Sequence, residues 1–234
     1  MALNANEYKQ ESKFERPDPL EAGTYPARLV QVISLGKQPQ RPYKGEEKPP
    51  KDEIRVTYEL VDEFLKDEDG KDIEDKPRWV AENFTMNSLD SDLAKSTKRY
   101  FAIDPKKNFK GDWAKLVGQP CMVTLICNEG SDKKVYNNVA SVQSMRSKEA
   151  ENLPPLKNDP KVFDIDDPDL EVFLSLPAFV QKMVTEDNLE FGGSKLERML
   201  VEHTGGEVKP KKEVKKEPEF EKAGPEVGDG DNDW

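Results

Sequence analysis

Arg28, Arg55 and Arg78 each fall inside a run that alternates apolar with polar residues, and Trp79 directly follows Arg78. Further cations accompany aromatic residues elsewhere: Arg41 and Lys44 flank Tyr43, and Lys133 and Lys134, at a hairpin end, precede Tyr136. These two kinds of side chain share one use. Cations line a path for phosphates, and aromatic faces stack successive bases at about 1–3 kcal/mol each with little regard to base identity. The pattern predicts a surface for single-stranded nucleic acid built from Arg28, Arg41, Tyr43, Lys44, Arg55, Arg78, Trp79, Lys133, Lys134 and Tyr136.

Plainer roles compete for the same residues. Trp79 is either a core residue or a groove residue, and its face partners Ala81 and Asn83, small or polar, suit an open groove. Tyr58 alternates with Ile54, Val56 and Leu60, which marks it for the core. Arg55 is equally an ordinary solvated strand residue, and the lysine-rich stretch around Lys44, Lys48 and Lys51 is a charged loop able to close over a ligand.

The residues needed for other chemistry are missing. There is one histidine, His203, and no nucleophile–base pair, phosphate-cradling glycine loop or HExxH spacing. No catalytic residue and no cofactor are expected. Cys121 and Cys127 lie in one apolar run and match no zinc pattern. On a strand both thiols point to one face, and they read as reduced, half-buried packing residues of a cytosolic protein. The acidic cluster Asp164–Glu171 lacks the central glycine and distal bidentate acid of a calcium loop. Helix capping accounts for it, and no metal is expected.

Composition sets the frame that must position these residues. In 234 residues, apolar and charged side chains are each 35%, with 18 prolines, too polar for a chain packed throughout. One domain of roughly 130 residues with unstructured ends is expected. The net charge of −11 speaks at first against nucleic acid, but acids and bases nearly balance from Leu20 to Lys148, and the excess acid lies downstream. The first residues contain no apolar leader core, and no run approaches the length of a membrane span, so neither secretion nor membrane insertion is expected.

Periodicity divides the sequence into residues 1–19, flexible; 20–148, a β domain; 149–203, a linker and short helices; and 204–234, a disordered acidic tail. The first strand, Gly23–Leu35, puts Tyr25, Ala27, Leu29 and Ile33 on one face and Arg28, Val30 and Val32 on the other. A long loop is expected from Gly36 to Asp52. A second strand follows at Glu53–Leu65, and a third at Arg78–Met86 with Val80, Glu82 and Phe84 opposite Trp79, Ala81 and Asn83. A helix over Leu89–Ala102, capped by Ser88 or Asn87, precedes strands at Cys121–Glu129 and Lys133–Met145. Three strands, a helix and two strands is the order of a mainly β, five-stranded OB-fold barrel. Downstream, Asp167 is the expected cap of one helix, Pro177 restarts a second, and Ser194 with Glu197 has capping-box spacing for a third. The apolar stripe Leu174, Phe179, Val180 and Met183 must pack on the barrel or on a partner, because helices this short are not stable alone.

The sequence closes GPEVGDGDNDW, acids interspersed with glycine before Trp234. This resembles the acidic, aromatic-tipped C-termini of bacterial and bacteriophage single-stranded DNA-binding proteins. The segments GTYPARLV, VTYELVD, WVAENFTM and VYNNVASV are likewise similar to a family of phage-encoded single-stranded DNA-binding proteins. The resemblance implies an OB-fold that binds single-stranded DNA in phage replication and recombination, in the cytoplasm of the infected bacterium. It also implies that Asp229, Asp231, Asp233 and Trp234 recruit replication proteins such as a DNA polymerase or helicase–primase, while leaving homo-oligomerisation open. Two features depart from that family: the final acidic run is short, and a helical segment around Phe173–Leu200 has been added. The alternatives are a phage protein-interaction module, acting as recombination mediator or polymerase accessory factor, and a DNA mimic. A mimic needs acids spread over the folded surface.

Overall fold

The computed structural model describes residues 17–42 and 44–205. In chain order they begin with β1 (Gly23–Gln38), β2 (Lys51–Lys66), β3 (Asp72–Thr85), α1 (Lys95–Ile103), β4 (Pro120–Glu129) and β5 (Val135–Gln143). These five strands form an antiparallel sheet in the order β3-β2-β1-β4-β5. The sheet curls until its two outer strands, β3 and β5, approach each other without a hydrogen-bonded ladder. The fold is mainly β, a half-barrel with α1 against its seam.

The alternation in β2 carries through: Ile54, Val56, Tyr58 and Leu60 all enter the half-barrel core, with Phe84 from β3 and Val123 from β4. Each such side chain contributes roughly 1.5–3 kcal/mol on burial. Tyr100 of α1 completes the core, its ring 5.4 Å from that of Trp113. The open seam is bridged by Arg99 of α1. Its Nε donates to Glu82 Oε1 on β3 at 2.8 Å, and its Nη2 donates to the Ala140 carbonyl on β5 at 3.2 Å. Ala140 is the residue skipped where β5 bulges, between the pairs Thr124–Ser141 and Leu125–Val139.

β1 departs from simple alternation. Its register on β2 passes from Leu29–Tyr58 to Gln31–Thr57, leaving Val30 as a bulge. An extra residue inverts every face beyond it. Val32 therefore joins Ala27 and Leu29 in the half-barrel core, and Ile33 turns with Leu35 to a second core on the opposite side. This reverses the expected assignment of both Val32 and Ile33. β1 and β2 also extend into the expected loop, reducing it to residues 39–50.

The helix after β3 starts at Lys95 and not at Leu89. Ser88 instead organises a turn: its hydroxyl accepts from the Asp90 N–H at 3.3 Å and its carbonyl from the Ser91 N–H at 3.0 Å. Such local bonding competes with helix formation. Ala94 occupies the cap position with no side-chain bond, and Lys98 and Arg99 stand before the last turn.

The two cysteines also differ from the expected half-buried pair. Cys121 is fully buried, and burial pushes its thiol up to about 12. Cys127 shares its face but lies past the end of the core and is exposed.

Beyond β5 come α2 (Ser147–Asn152), β6 (Lys161–Phe163), α3 (Leu170–Leu174), α4 (Ala178–Lys182), which runs on as a π turn through Asp187, and α5 (Lys195–Thr204). Part of the expected linker is thus a strand, β6, paired parallel to Gln31–Ile33 of β1. The helices do pack on the β domain. Phe173, Leu176, Val180, Val184 and Leu196 close over Ile33 and Leu35. Asp169, not Asp167, caps α3, accepting from the Glu171 and Val172 N–H groups at 2.9 and 3.1 Å. Asp167 pairs with Lys195 at 2.6 Å. Ser194 caps α5 as its spacing predicts, accepting from the Glu197 N–H at 3.1 Å.

The helical segment is tied to β1 at Gly36–Lys37. Asn188 Oδ1 accepts from the Lys37 N–H at 3.1 Å, and the Leu189 N–H donates to the Lys37 carbonyl at 2.9 Å. Gly36 has φ +72°, and a Cβ there would lie 2.5 Å from the Asn188 carboxamide. Gly36→Ala is therefore expected to cost at least about 2 kcal/mol through backbone strain and this clash. A lower melting temperature, together with faster proteolysis between β6 and α5, checks it.

Candidate nucleic-acid interface

The outer face of β1–β2–β3 carries three cross-strand rows set by the register. They are Ile33–Arg55–Asn83, Gln31–Thr57–Ala81 and Arg28–Glu59–Trp79. Over the first two rows lies the segment joining α3 to α4, leaving a cleft of about 290 Å³ between sheet and segment. Arg55 and Trp79 line the sheet side, and Leu176, Pro177 and Phe179 line the other.

Arg55 is held in place by a carboxamide and an aromatic ring. Its Nη1 donates to Asn83 Oδ1 at 2.8 Å, and its guanidinium lies 5.1 Å from the centre of the Phe179 ring. Among the described residues no carboxylate pairs with it. Removal from water lowers its pKa below the ordinary arginine value, yet a guanidinium stays charged. A partly desolvated cation with no anion beside it has capacity to accept one.

Trp79 is 42% exposed, which decides between its two sequence readings in favour of the open face. Its orientation is fixed by Glu59, whose Oε2 accepts from the indole Nε1–H at 3.1 Å. Glu59 is only 1% exposed and also accepts from the Lys157 and Asn158 N–H groups at 2.6 and 3.3 Å. The carboxylate thus couples the indole to the connection leading into β6.

The other candidate residues are distributed differently. Arg28 stands in the third row, but its guanidinium donates to the carbonyls of Gly118, Leu153 and Pro154 at 2.7, 2.9 and 2.7 Å. It clamps the chain after α2 onto β1. Arg78 turns away from Trp79 into a cleft shared with Tyr25, Glu63 and Asp67. Burial and the neighbouring Asp62 raise the Glu63 carboxyl there, and Arg78 opposes that shift. Arg41 and Lys44 are exposed in the 39–50 connection, Lys44 in a left-handed turn at φ 53°. Tyr43 lies outside the described residues, as do Asp229, Asp231, Asp233 and Trp234. Lys133 and Lys134 occupy the β4–β5 tip, where the Tyr136 hydroxyl donates to Asp132 at 2.6 Å and holds that carboxyl below its usual range. The structure therefore brings Arg55 and Trp79 into one cleft, ties Arg28 to main-chain carbonyls on the same face, and sets Arg78 in a different cleft and Arg41, Lys44, Lys133 and Lys134 on two hairpin connections.

Sequence reasoning does not single out Gln31, Glu59 or Phe179 for this site, and it names Asn83 only as a polar face partner of Trp79 suited to an open groove. Phe179 was placed in a packing stripe with Leu174, but both are exposed, and Leu176 and Val184 are buried instead. Pro177 separates α3 from α4 and changes the helical phase. For Glu59 a signal existed, an acid on a strand otherwise rich in buried residues, but its partners lie far away in sequence.

Among the described residues no group of three or more histidine, cysteine or acidic side chains is arranged to hold a metal ion, and no helix is long and apolar enough to cross a membrane. Neither a protein-family model nor a curated protein matches the chain.

Proposed function

We propose that this protein binds single-stranded DNA without sequence preference, as an OB-fold protein of the bacteriophage type, and that it acts by binding and not by catalysis. The observation that carries the reading is the pairing, in one cleft, of an exposed indole with a guanidinium that has no carboxylate partner among the described residues. Stacking on Trp79 and phosphate contact at Arg55 are the two elements that single-strand binding needs. The curled five-stranded sheet with α1 between β3 and β4 in chain order supports the OB assignment, whose binding surface is the face of the second and third strands. In this reading the exposed cations Arg41, Lys44, Lys133 and Lys134 supply further phosphate contacts.

Fluorescence anisotropy with labelled oligo(dT) tests the proposal. Log affinity is expected to fall with log salt at about −0.7 per phosphate contacted. Trp79→Ala should cost roughly 1–3 kcal/mol of binding, with a modest loss of melting temperature from the missing donor to Glu59, and the protein should remain folded. Equal affinity for duplex and single strand would overturn the reading.

The acidic residues from Gly224 to Trp234 act, in this proposal, as a hook for replication enzymes and compete weakly with DNA for the cationic path. A stop after Ala223 is expected to leave oligo(dT) affinity unchanged, or to raise it at low ionic strength where charges are least screened. The same stop should abolish capture of the cognate polymerase or helicase. Loss of DNA binding with enzyme capture intact would refute this role.

A further inference from the structure

The helical segment α3–α5 has no role in the reading above, yet it forms half of the cleft. Phe179 at the start of α4 is 51% exposed, although the neighbouring Leu176 and Val180 are buried in the second core. An aromatic ring left open between buried apolar neighbours is available to a ligand. One side of the ring carries the Arg55 guanidinium. Behind it the cleft floor offers polar edges: the Thr57 hydroxyl, which donates to Gln31 Oε1 at 3.4 Å, and the Gln31 carboxamide nitrogen, which donates to no group among the described residues. The volume of about 290 Å³ is at the small end for ligand sites, which start near ~300 Å³. It suits one flat heterocycle and not a length of folded peptide.

Resting on the single-strand reading, we propose that Phe179 and Trp79 are the two aromatic walls of one nucleobase pocket, with Arg55 taking the adjoining phosphate. The added helical segment is then part of the DNA site and not an independent appendage. Its wall is preformed. The parallel pairing of β6 with β1, the Asn188 contacts to Lys37 and the second core hold α4 against the sheet. A ring already ordered loses little freedom when a base stacks on it. The combination of π-face, guanidinium and amide or hydroxyl edges accepts any base, in keeping with binding that ignores sequence.

The test compares the wild type with Phe179→Ala, Phe179→Leu and Phe179→Trp in anisotropy titrations against oligo(dT) and against an abasic oligonucleotide of equal length. On oligo(dT), the alanine and leucine variants are expected to bind roughly ten-fold or more weakly, and the tryptophan variant to match the wild type. On the abasic strand all four should bind alike, because nothing stacks. Melting temperatures should not change. If Phe179→Ala binds oligo(dT) as tightly as the wild type, the pocket is wrong while single-strand binding stands. Tighter binding by Phe179→Ala would show the segment to be a cover over the groove and would also overturn the pocket. An equal loss on the abasic strand would assign the effect to something other than stacking and reject it too. A wild type that binds neither strand overturns both this inference and the function beneath it.

Discussion

Glu82→Ala is expected to lower folding stability by about 3–5 kcal/mol, the cost of leaving a buried charge without its partner. Glu82 is 7% exposed and Arg99 6%, and together they join β3 to α1 at the seam that no backbone ladder closes. Glu82 Oε1 accepts from Arg99 Nε at 2.8 Å and from the Tyr58 hydroxyl at 3.1 Å, and Oε2 pairs with Lys95 at 2.7 Å. Burial, reinforced by Glu82, raises the Tyr58 phenol well above its usual value and keeps it a donor. Without the carboxylate, Arg99 retains only main-chain carbonyls on β5, and the phenol has no acceptor. Total stabilities of domains are about 5–15 kcal/mol, so this loss is a large fraction. In urea the midpoint should fall with an unchanged slope. Replacing both partners, Glu82→Met with Arg99→Leu, should recover most of it, because apolar packing removes the unpaired charge. A double variant as unstable as the single one would show that the unpaired guanidinium is not the cause.

Glu59→Leu is expected to have the next largest effect, about 3 kcal/mol of stability. This carboxylate receives donors from Trp79 Nε1, the Lys157 and Asn158 backbone, and Asn158 Nδ2 at 2.6 Å. Bonds to a charged acceptor are worth about 1.5–3 kcal/mol each, but they share one group and do not add. The substitution releases both the indole and the chain leading into β6, so thermal stability and oligo(dT) affinity should fall together. Trp79→Ala removes the stack and one of the donors to Glu59, so affinity should fall with a smaller loss of stability than in Glu59→Leu. A Glu59→Leu variant that loses stability but keeps its oligo(dT) affinity would separate Glu59 from the positioning role given to it here.

The contrast between these residues marks the limit of what sequence alone conveys. Strand alternation in β2 and β3 depends on neighbours two residues away, so the inward set Ile54, Val56, Tyr58 and Leu60, and the outward place of Trp79, were determined locally. The same holds for the cap at Ser194 and for the order of strands around α1. Alternation fails in β1 because that strand serves three partners. It pairs with β4 over Gly23–Arg28, with β6 over Gln31–Ile33 and with β2 along most of its length, and the Val30 bulge marks the exchange. No local pattern records such an exchange. Arg28, Arg55 and Arg78 look equivalent in sequence, yet only the tertiary structure separates a clamp on carbonyls, a cation in a cleft and a neighbour of Glu63. The cleft itself was decided wholly at that level. It exists because residues after 160 fold back over β1–β3, bringing Phe179 to Arg55 across a separation that no periodicity spans.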